Sequence, residues 1–554
     1  MSLETLLLFI PELILLLVGT GIFVASGWVS RPTLWRWLAL GALILALGVL
    51  PLEPEQVSHL AQRELVSDTL SQYLRSLAII AGILLVLTAW EPLPQGPTAE
   101  YLGCLLFAQA GAMVACAAKD MVTLFLGLEL VSIPTYILLF LGRRDRTNYE
   151  ATLKYFFLSV LASALFLYGL SFLYGMAGTT DLGSVAARLS PISPQDPSAW
   201  VPVAVVALVL IGAALAFKIA AAPFHFYAPD VYQGTSYLNA AVLSVLPKLA
   251  GLAVLVRVFC IVWPTVFQQP WQLLMLLALI SMTVGNVAAL WQNHLRRLLA
   301  YSSIAHSGYM LMGLSAFAAI RPVGTIDPES AAAVWNGVAS TGFYLLVYLL
   351  ATLGVFAALV SLRGANGEVN RIEELGGLAW SEQPGSRVLA WSLAICLFSL
   401  TGVPPLAGFW GKLAVFASAL SVPPAEADIF GWFVLLALVG AINAAIGAAY
   451  YLRVIGTMFF GEMRSPVGLS RQPGPLLAAL IASMLVVAIG LWWQPWFDRA
   501  VAASPPVGGG ARAEASLGAD SSAMRLVTKH LLGVENTLSN VENFRENHAA
   551  GSLE

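Results

Sequence analysis

The chain is a succession of apolar runs, each about twenty residues long, separated by short polar stretches. Coiled as helices, runs of that length match the hydrocarbon thickness of a bilayer. They fall at 3–24, 34–51, 75–90, 100–118, 121–141, 152–175, 201–228, 236–262, 270–291, 298–319, 333–362, 388–421, 428–452 and 474–496. The pattern predicts an all-α polytopic membrane protein of about fourteen transmembrane helices. Two of the longest runs are also interrupted, 201–228 by Pro223 and 388–421 by TGVPPLAGFWGKL, Thr401 to Leu413. Discontinuous helices in matching places point to an internal repeat. Helices 4–8 (100–262) and 9–13 (270–452) make two units of five, and the odd count inverts the second relative to the first. Helices 7 and 12, the broken ones, are then the fourth members of their units. Lys218 precedes the break in one and Lys412 follows it in the other.

Helices 1–3 flank the repeats, and 474–496 closes a membrane domain of residues 1–498. Residues 499–554 turn polar. SPPVGGGARAEASLGADSS reads as a flexible linker. Met524, Val527, Leu531, Val534, Leu538 and Val541 then recur at helical spacing, as in a short amphipathic helix laid on a partner or on the membrane surface. The first run carries Glu4 and Glu12 where a cleavable signal would be basic, so it is expected to stay as a span. Arg31, Arg36, Arg143, Arg144, Arg146, Arg296, Arg297, Arg363, Arg371, Arg387, Arg453, Arg464 and Arg471 fall on one side of the bilayer. Arg63, Arg75, Lys119, Arg188, Arg257 and Arg321 fall on the other. That bias, with an even helix number, puts both termini on the outer, periplasmic side of a bacterial inner membrane.

Composition agrees with a chain that lives in lipid: 58% of its 554 residues are hydrophobic and 11% are charged. A net charge of −3 with no basic patch implies no nucleic-acid partner. Cys104, Cys116, Cys260 and Cys396 lie far apart, in no metal-ligand spacing.

The informative positions are charges inside the apolar runs, because each costs at least about 2.5 to 3.5 kcal/mol at mid-bilayer and usually pairs, lines water or serves transport. Glu129 sits mid-helix 5, with Pro134 just beyond. Lys218 lies in helix 7, Lys248 directly follows Pro247 in helix 8, His306 lies in helix 10 and Lys412 in helix 12. One carboxylate and several weak bases, most beside a helix distortion, read as a path for protons. At an effective dielectric near 20, a carboxylate within about 4 Å of an ammonium contributes about 4 kcal/mol. Moving Glu129 toward or away from Lys218 would therefore switch whether that lysine holds or releases its proton. Moving one proton outward against a potential on the order of 150 mV costs about 3.5 kcal/mol, a comparable quantity. The plainer reading is a fixed ion pair that only ties helices together, but static pairing leaves Lys248, His306 and Lys412 without an acid. Lys154, nearer the end of helix 6, is explained as well by snorkelling to the membrane surface. His225 is either a satisfied core histidine or a relay between inner water and Lys218. Glu12 and Glu91 are expected at the membrane interface.

Three segments, KIAAAPFHFYAPDVYQGT, RRLLAYSSIAHSGYML and TGVPPLAGFWGKL, resemble the signature segments of the antiporter-like subunits of proton-pumping NADH:quinone oxidoreductase, respiratory complex I. The resemblance covers residues 1–495 and is greatest to the N-type subunits. It implies fourteen helices with inverted five-helix repeats and outward proton translocation driven by quinone reduction elsewhere in the complex. It casts Glu129 and Lys218 as an interacting pair, Lys248 as the central base and Lys412 as the base facing the outer half-channel. Lys154 and His306 become further positions on the polar axis. It also implies no cofactor on this chain, with FMN, iron–sulfur clusters and quinone on partner subunits, and neighbouring membrane-arm subunits, antiporter-like ones among them, as partners. The chain departs from the family at Gln233, where relatives often carry an acid, and in its extended tail. A subunit of a multi-subunit sodium/proton antiporter or of a membrane-bound hydrogenase would use the same scaffold, and an inert scaffold of the membrane arm is the third alternative.

Overall fold

The computed structural model describes residues 8–53, 65–90, 98–189, 200–262, 270–320, 335–364, 367–422, 427–463, 467–470 and 472–505. The first helices are α1 (Ile10–Ser26), α2 (Pro32–Val49), α3 (Thr69–Thr88), α4 (Thr98–Ala117), α5 (Met121–Gly142) and α6 (Arg146–Ala177). The short α7 (Leu182–Leu189) precedes α8 (Trp200–Lys218), α9 (Ala228–Gly234) and α10 (Tyr237–Leu255), which runs into a π-helical turn, Val256–Val262. Then come α11 (Pro270–Leu290), α12 (Leu295–Ile320), α13 (Gly337–Ser361), α14 (Pro384–Thr401), α15 (Ala407–Leu420), α16 (Ala427–Phe460), α17 (Pro473–Leu491) and α18 (Gln494–Ala503). Among the described residues, eleven helices are long and apolar enough to cross a membrane, while α1, the apolar part of α8, and α15 are apolar but shorter. The protein is a mostly helical, multi-span membrane protein.

Polar residues at the ends of the apolar runs set the helix starts. Asp68, Asp120, Asp145 and Asn336 accept hydrogen bonds from the first free backbone N–H groups of α3, α5, α6 and α13, at 2.7–2.9 Å. Those donors have no partner inside the helix, and in lipid they would have no water either. Gly178, at φ +62°, closes α6 with the left-handed turn that glycine adopts without strain.

Inside the bundle, α10, α12 and α13 are buried along the whole of their apolar windows, whereas α2 and α16 turn most of theirs outward. The contact between α11 and α12 rests on small residues. A methyl group on Gly285 would lie 2.6 Å from the Ala305 nitrogen, and one on Gly308 would lie 2.7 Å from the Met282 nitrogen. Lipid tails are as apolar as leucine, so membrane helices associate through such close backbone approach.

The runs 201–228 and 388–421 are both broken. Helix α8 stops at Lys218, five residues before Pro223, because Ala220 takes a left-handed backbone (φ +56°) and the chain turns until α9. Neighbours take up polar groups at the turn. Ser307 Oγ donates to the Ile219 carbonyl at 2.6 Å, Tyr227 Oη to the Phe217 carbonyl at 3.0 Å, and Ala222 N–H donates to Ser281 Oγ at 2.9 Å. Helix α14 stops at Thr401, with Gly402 at φ +93°, and α15 begins at Ala407.

Several expectations are corrected. The chain is not wholly α: β1 (Leu362–Gly364) pairs antiparallel with β2 (Gly367–Glu368) and β3 (Gly468–Leu469), since loops at one end of the bundle satisfy their backbones on each other. Helix α16 runs to Phe460, beyond 452, and α18 carries regular structure past 498. Glu12 is withdrawn from water. It is 1% exposed and ion-paired with Arg75, which itself is a buried residue and not a loop charge. Arg257 is likewise buried, paired with Asp68 at 3.0 Å. Glu91, Arg63, Arg321, Arg464, Arg471 and the amphipathic pattern 524–541 lie outside the described residues.

At the sheet end, Arg296 is buried and donates to Glu368 (2.9 Å), to Asn370 Oδ1 (2.6 Å) and to the Thr235 carbonyl, and it lies over the Tyr237 ring. Beside it, His294, in the loop between α11 and α12, makes an antiparallel backbone bridge with Arg371, which follows β2. Its burial first, then Arg296, Arg297, Arg371 and Arg143, push its pKa down to about 4. The unfolded imidazole takes a proton at about 6.5. The neutral ring's contribution to stability is therefore complete above that pH and lost as pH falls toward 4. His294→Gln should flatten the acid limb of thermal stability between those values. Gly308→Ala should destabilise the folded chain by about 1–3 kcal/mol, as overpacking does. Gly41→Ala, with nothing within 4 Å of the new methyl, should be neutral; thermal unfolding of the purified protein compares the two.

Candidate functional site

The helices most withdrawn from lipid carry most of the polar groups. Lys218, the last residue of α8, points its Nζ at Ser132 Oγ of α5 (2.7 Å) and at Ser159 and Ser163 Oγ of α6 (3.1 and 3.4 Å). Glu129 Oε1, from α5, is 3.9 Å away, and Ser163 Oγ also donates a short hydrogen bond to it. One hydroxyl thus joins the ammonium to the carboxylate. The lysine side chain is 4% exposed and the glutamate 20%, so the pair lies at the edge of the core. A narrow crevice beside it is lined by Phe125, Leu128, Phe166 and Ala214 along with the pair itself. At 3.9 Å and an effective dielectric near 20, the attraction is about 4 kcal/mol. Placing the ammonium at the carbonyl end of α8 adds the favourable end of the helix dipole.

Lys248, just past the middle of α10, donates to the Ser303 carbonyl (2.6 Å), to Ser303 Oγ (2.7 Å) and to Tyr348 Oη (3.3 Å), and its Nζ lies 4.6 Å from the Tyr348 ring centre. Three donors find three acceptors, none of them anionic. His306 of α12 has Nδ1 2.6 Å from Tyr344 Oη and Nε2 3.0 Å from Tyr451 Oη, and Tyr451 makes a short hydrogen bond to Ser302. A phenol hydroxyl can give or take, so both imidazole tautomers are satisfied. Lys412, in the second turn of α15, donates to the Thr401 carbonyl at 2.8 Å and lies over the Tyr309 ring at 5.2 Å. It too meets the carbonyl end of an interrupted helix, α14.

These groups are linked. Ser307 Oγ contacts both the Ile219 carbonyl, next to Lys218, and the Ser303 carbonyl that Lys248 also uses. The Tyr348 ring is 5.1 Å from His306, and Tyr344 and Tyr309 continue the row to Lys412. The structure brings five of the expected residues into one line: Glu129, Lys218, Lys248, His306 and Lys412. Lys154 and His225 stand off that line. Lys154 is 42% exposed and held by Glu150 (2.8 Å) and Asp230 (3.1 Å). Asp230 also pairs with Arg297, which donates to Gln233 Oε1 at 3.0 Å, so the amide oxygen serves as acceptor where an acid was expected. His225 is half-buried in the turn after α8, its Nδ1 enclosed without a hydrogen-bond partner. No group of His, Cys, Asp and Glu among the described residues is placed to hold a metal ion.

Sequence reasoning missed the neutral half of the site. Ser159 and Ser163 in α6, Ser303 and Ser307 in α12, and Tyr344 and Tyr348 in α13 each recur at i, i+4 and so share a helix face with their partner. That spacing, beside a buried lysine, was the available signal. Tyr451 carried none.

Residues 118–442 match the family model described as NADH:quinone oxidoreductase/Mrp antiporter, TM. The chain belongs to this family. NADH-quinone oxidoreductase subunit N of Gluconacetobacter diazotrophicus is 36% identical over 473 residues, 84% of this chain and 91% of that one. Subunit N of Rhodospirillum rubrum is 34% identical over 491 residues, 87% and 93% of the two chains. A chain of respiratory complex I from Thermus thermophilus superposes with a TM-score of 0.69 at 30% identity, over 88% of this chain and 98% of that one. A chain of the Mrp complex from Dietzia superposes at 0.74 with 21% identity, a likeness of fold alone. The matched stretch contains Glu129, Lys218, Lys248, His306 and Lys412, while Tyr451 lies beyond it.

At the second break, Gly402 packs against Lys412: a methyl group there would lie 3.0 Å from Lys412 Cδ, on a backbone that L side chains rarely adopt. Gly402→Ala should therefore displace the lysine and strain the turn by about 1–2 kcal/mol. The expected result is impaired turnover in a complex whose subunit content, read on a native gel, is unchanged.

Proposed function

We propose that this chain is a proton-translocating membrane-arm subunit of an NADH:quinone oxidoreductase, in which quinone reduction elsewhere drives protons outward along its buried polar line. The observation that carries the reading is that line itself: Glu129 and Lys218 share the Ser163 hydroxyl, Lys248 meets Ser303 and Tyr348, His306 meets Tyr344 and Tyr451, and Lys412 adjoins the same row of rings at Tyr309. Glu129 and Lys218 act as the electrostatic switch, Lys248 and His306 as the central relay, and Lys412 as the base toward the outer half-channel. Lys154 and His225 serve proton entry from the inner side. The chain carries no redox cofactor; FMN, iron–sulfur clusters and quinone belong to partner subunits, and neighbouring antiporter-like subunits flank it in the membrane arm.

The finer architecture belongs to the same proposal. Eleven long apolar helices, with α1, the α8–α9 pair and the α14–α15 pair, make fourteen spans. The inverted units, helices 4–8 and 9–13, are supported by their first two members. The α4–α5 pair packs through Gly111 and Gly127 as α11–α12 does through Gly285 and Gly308. The membrane domain then extends to the end of α18 at Ala503, five residues beyond the expected boundary at 498, with a linker and tail after it. Both termini face the periplasmic side of a bacterial inner membrane, a reading supported by Arg143, Arg144, Arg146, Arg296 and Arg297 all lying near the ends of spans that would face inward.

Replacing Lys218 tests this. Lys218→Ala should slow NADH-driven proton uptake into vesicles by about tenfold or more, a barrier change of at least 1.4 kcal/mol, and should slow NADH oxidation with it. Lys218→Arg should also impair pumping, since a guanidinium keeps its proton throughout the working range. Unchanged pumping by an assembled Lys218→Ala complex would leave only the inert-scaffold reading. A purified complex that does not oxidise NADH would instead point to the antiporter or hydrogenase assemblies.

A further inference from the structure

His306 meets a hydroxyl on each side, and the one supplied by α16 has a second partner. The ring's Nδ1 lies 2.6 Å from Tyr344 Oη, and its Nε2 lies 3.0 Å from Tyr451 Oη. Tyr451 Oη also makes the short hydrogen bond to Ser302 Oγ, one turn before His306 on α12. A phenol has one proton to give, and a neutral imidazole has one nitrogen that donates and one that accepts. When Ser302 donates to Tyr451, the phenol donates to Nε2, and Nδ1 carries the ring proton toward Tyr344. When Tyr451 donates to Ser302 instead, Nε2 carries the ring proton and Nδ1 is bare.

That choice bears on transfer. An imidazole passes a proton by binding one at its bare nitrogen and releasing the one on the other nitrogen, which returns the ring to neutral. The bare nitrogen therefore fixes the side from which His306 accepts, the Tyr451 side in the first arrangement and the Tyr344 side in the second.

The phenol is itself held in place. Tyr450, its neighbour in sequence, has its ring centre 4.4 Å from that of Tyr451, and its Oη donates to Asn286 Oδ1 of α11 at 3.1 Å. The Asn286 amide has one orientation, because its Nδ2 donates to the Met282 carbonyl at 2.9 Å and a carbonyl only accepts. Gly447, one turn before Tyr451, brings α16 close, since a methyl group there would lie 3.1 Å from Asn286 Oδ1. Helix α16 turns most of its apolar window outward, yet Tyr450, Tyr451, Asn286 and Ser302 are buried.

We propose that Tyr451 is a positioning residue of the relay: the direction of its O–H, shared with Ser302, sets which nitrogen of His306 is bare, and Tyr450 and Asn286 hold the phenol in reach. The inference rests on the relay reading of the polar line given above, and it adds the group that sets the histidine tautomer.

Infrared difference spectra of the purified complex, Ser302→Ala against wild type, test it, because the two imidazole tautomers have distinct ring bands. Without Ser302 the phenol donates to Nε2, so the Nδ1–H band should grow and the Nε2–H band shrink. A flat difference spectrum overturns the proposal. Tyr451→Phe keeps the ring and removes the hydroxyl, and it should slow NADH-driven proton uptake by about fivefold in a complex of unchanged subunit content. Tyr450→Phe, acting one step further away, should cost about twofold. Normal pumping by Tyr451→Phe beside a Lys218→Ala complex that no longer pumps overturns the positioning role alone. Normal pumping by both overturns the relay reading itself. Should Tyr451→Phe fail to assemble, the Ser302→Ala spectrum decides.

Discussion

An ammonium group buried among apolar helices must be satisfied by whatever acceptors the fold supplies, and of the lysines Lys218, Lys248 and Lys412 one has a carboxylate within reach among the described residues. Lys218 alone has a counter-ion, at a distance that a serine hydroxyl also spans. Lys248 and Lys412 are met by carbonyls, hydroxyls and ring faces, which lower the cost of charge without cancelling it. A charge held by dipoles is easier to remove than one held by an anion.

The two interrupted helices contribute to this balance. Ending α8 at Lys218 and α14 at Thr401 leaves carbonyls without helical partners deep in the bundle, and those carbonyls carry the negative end of the helix dipole. In the second break the freed carbonyl of Thr401 is itself the lysine's acceptor. In the first, serine and tyrosine hydroxyls from α12 and the turn take the freed carbonyls of Ile219 and Phe217, and the lysine turns to the serines of α5 and α6.

The spans were legible because each is a long apolar run, and the breaks because proline and glycine interrupt two of them. The charged members of the line were legible for a related reason: a lysine or glutamate amid leucine and alanine has no ordinary explanation. Serine and tyrosine do not stand out in that way, since Ser163 or Tyr344 costs little to bury and reads as a plain core residue. Tyr451 reaches His306 across 145 positions of sequence, a pairing that only the tertiary fold creates. Glu12 was misplaced because proximity to a helix end was taken for proximity to water, whereas Arg75 and Glu53 close over it. Lys154, an axis position by resemblance and a snorkelling residue by its place in the helix, stands half exposed between Glu150 and Asp230.

The seam between α11 and α12 has a mechanical corollary. With Gly285 and Gly308 letting two backbones touch, the pair behaves as one stiff slab, and Ser302, Ser303, His306 and Ser307 are mounted on it. Their hydroxyls and ring can swivel about side-chain bonds but have no room to slide along the membrane normal. Beside this rail the long side chains of Lys218, Lys248 and Lys412 have more rotatable bonds than any group mounted on it.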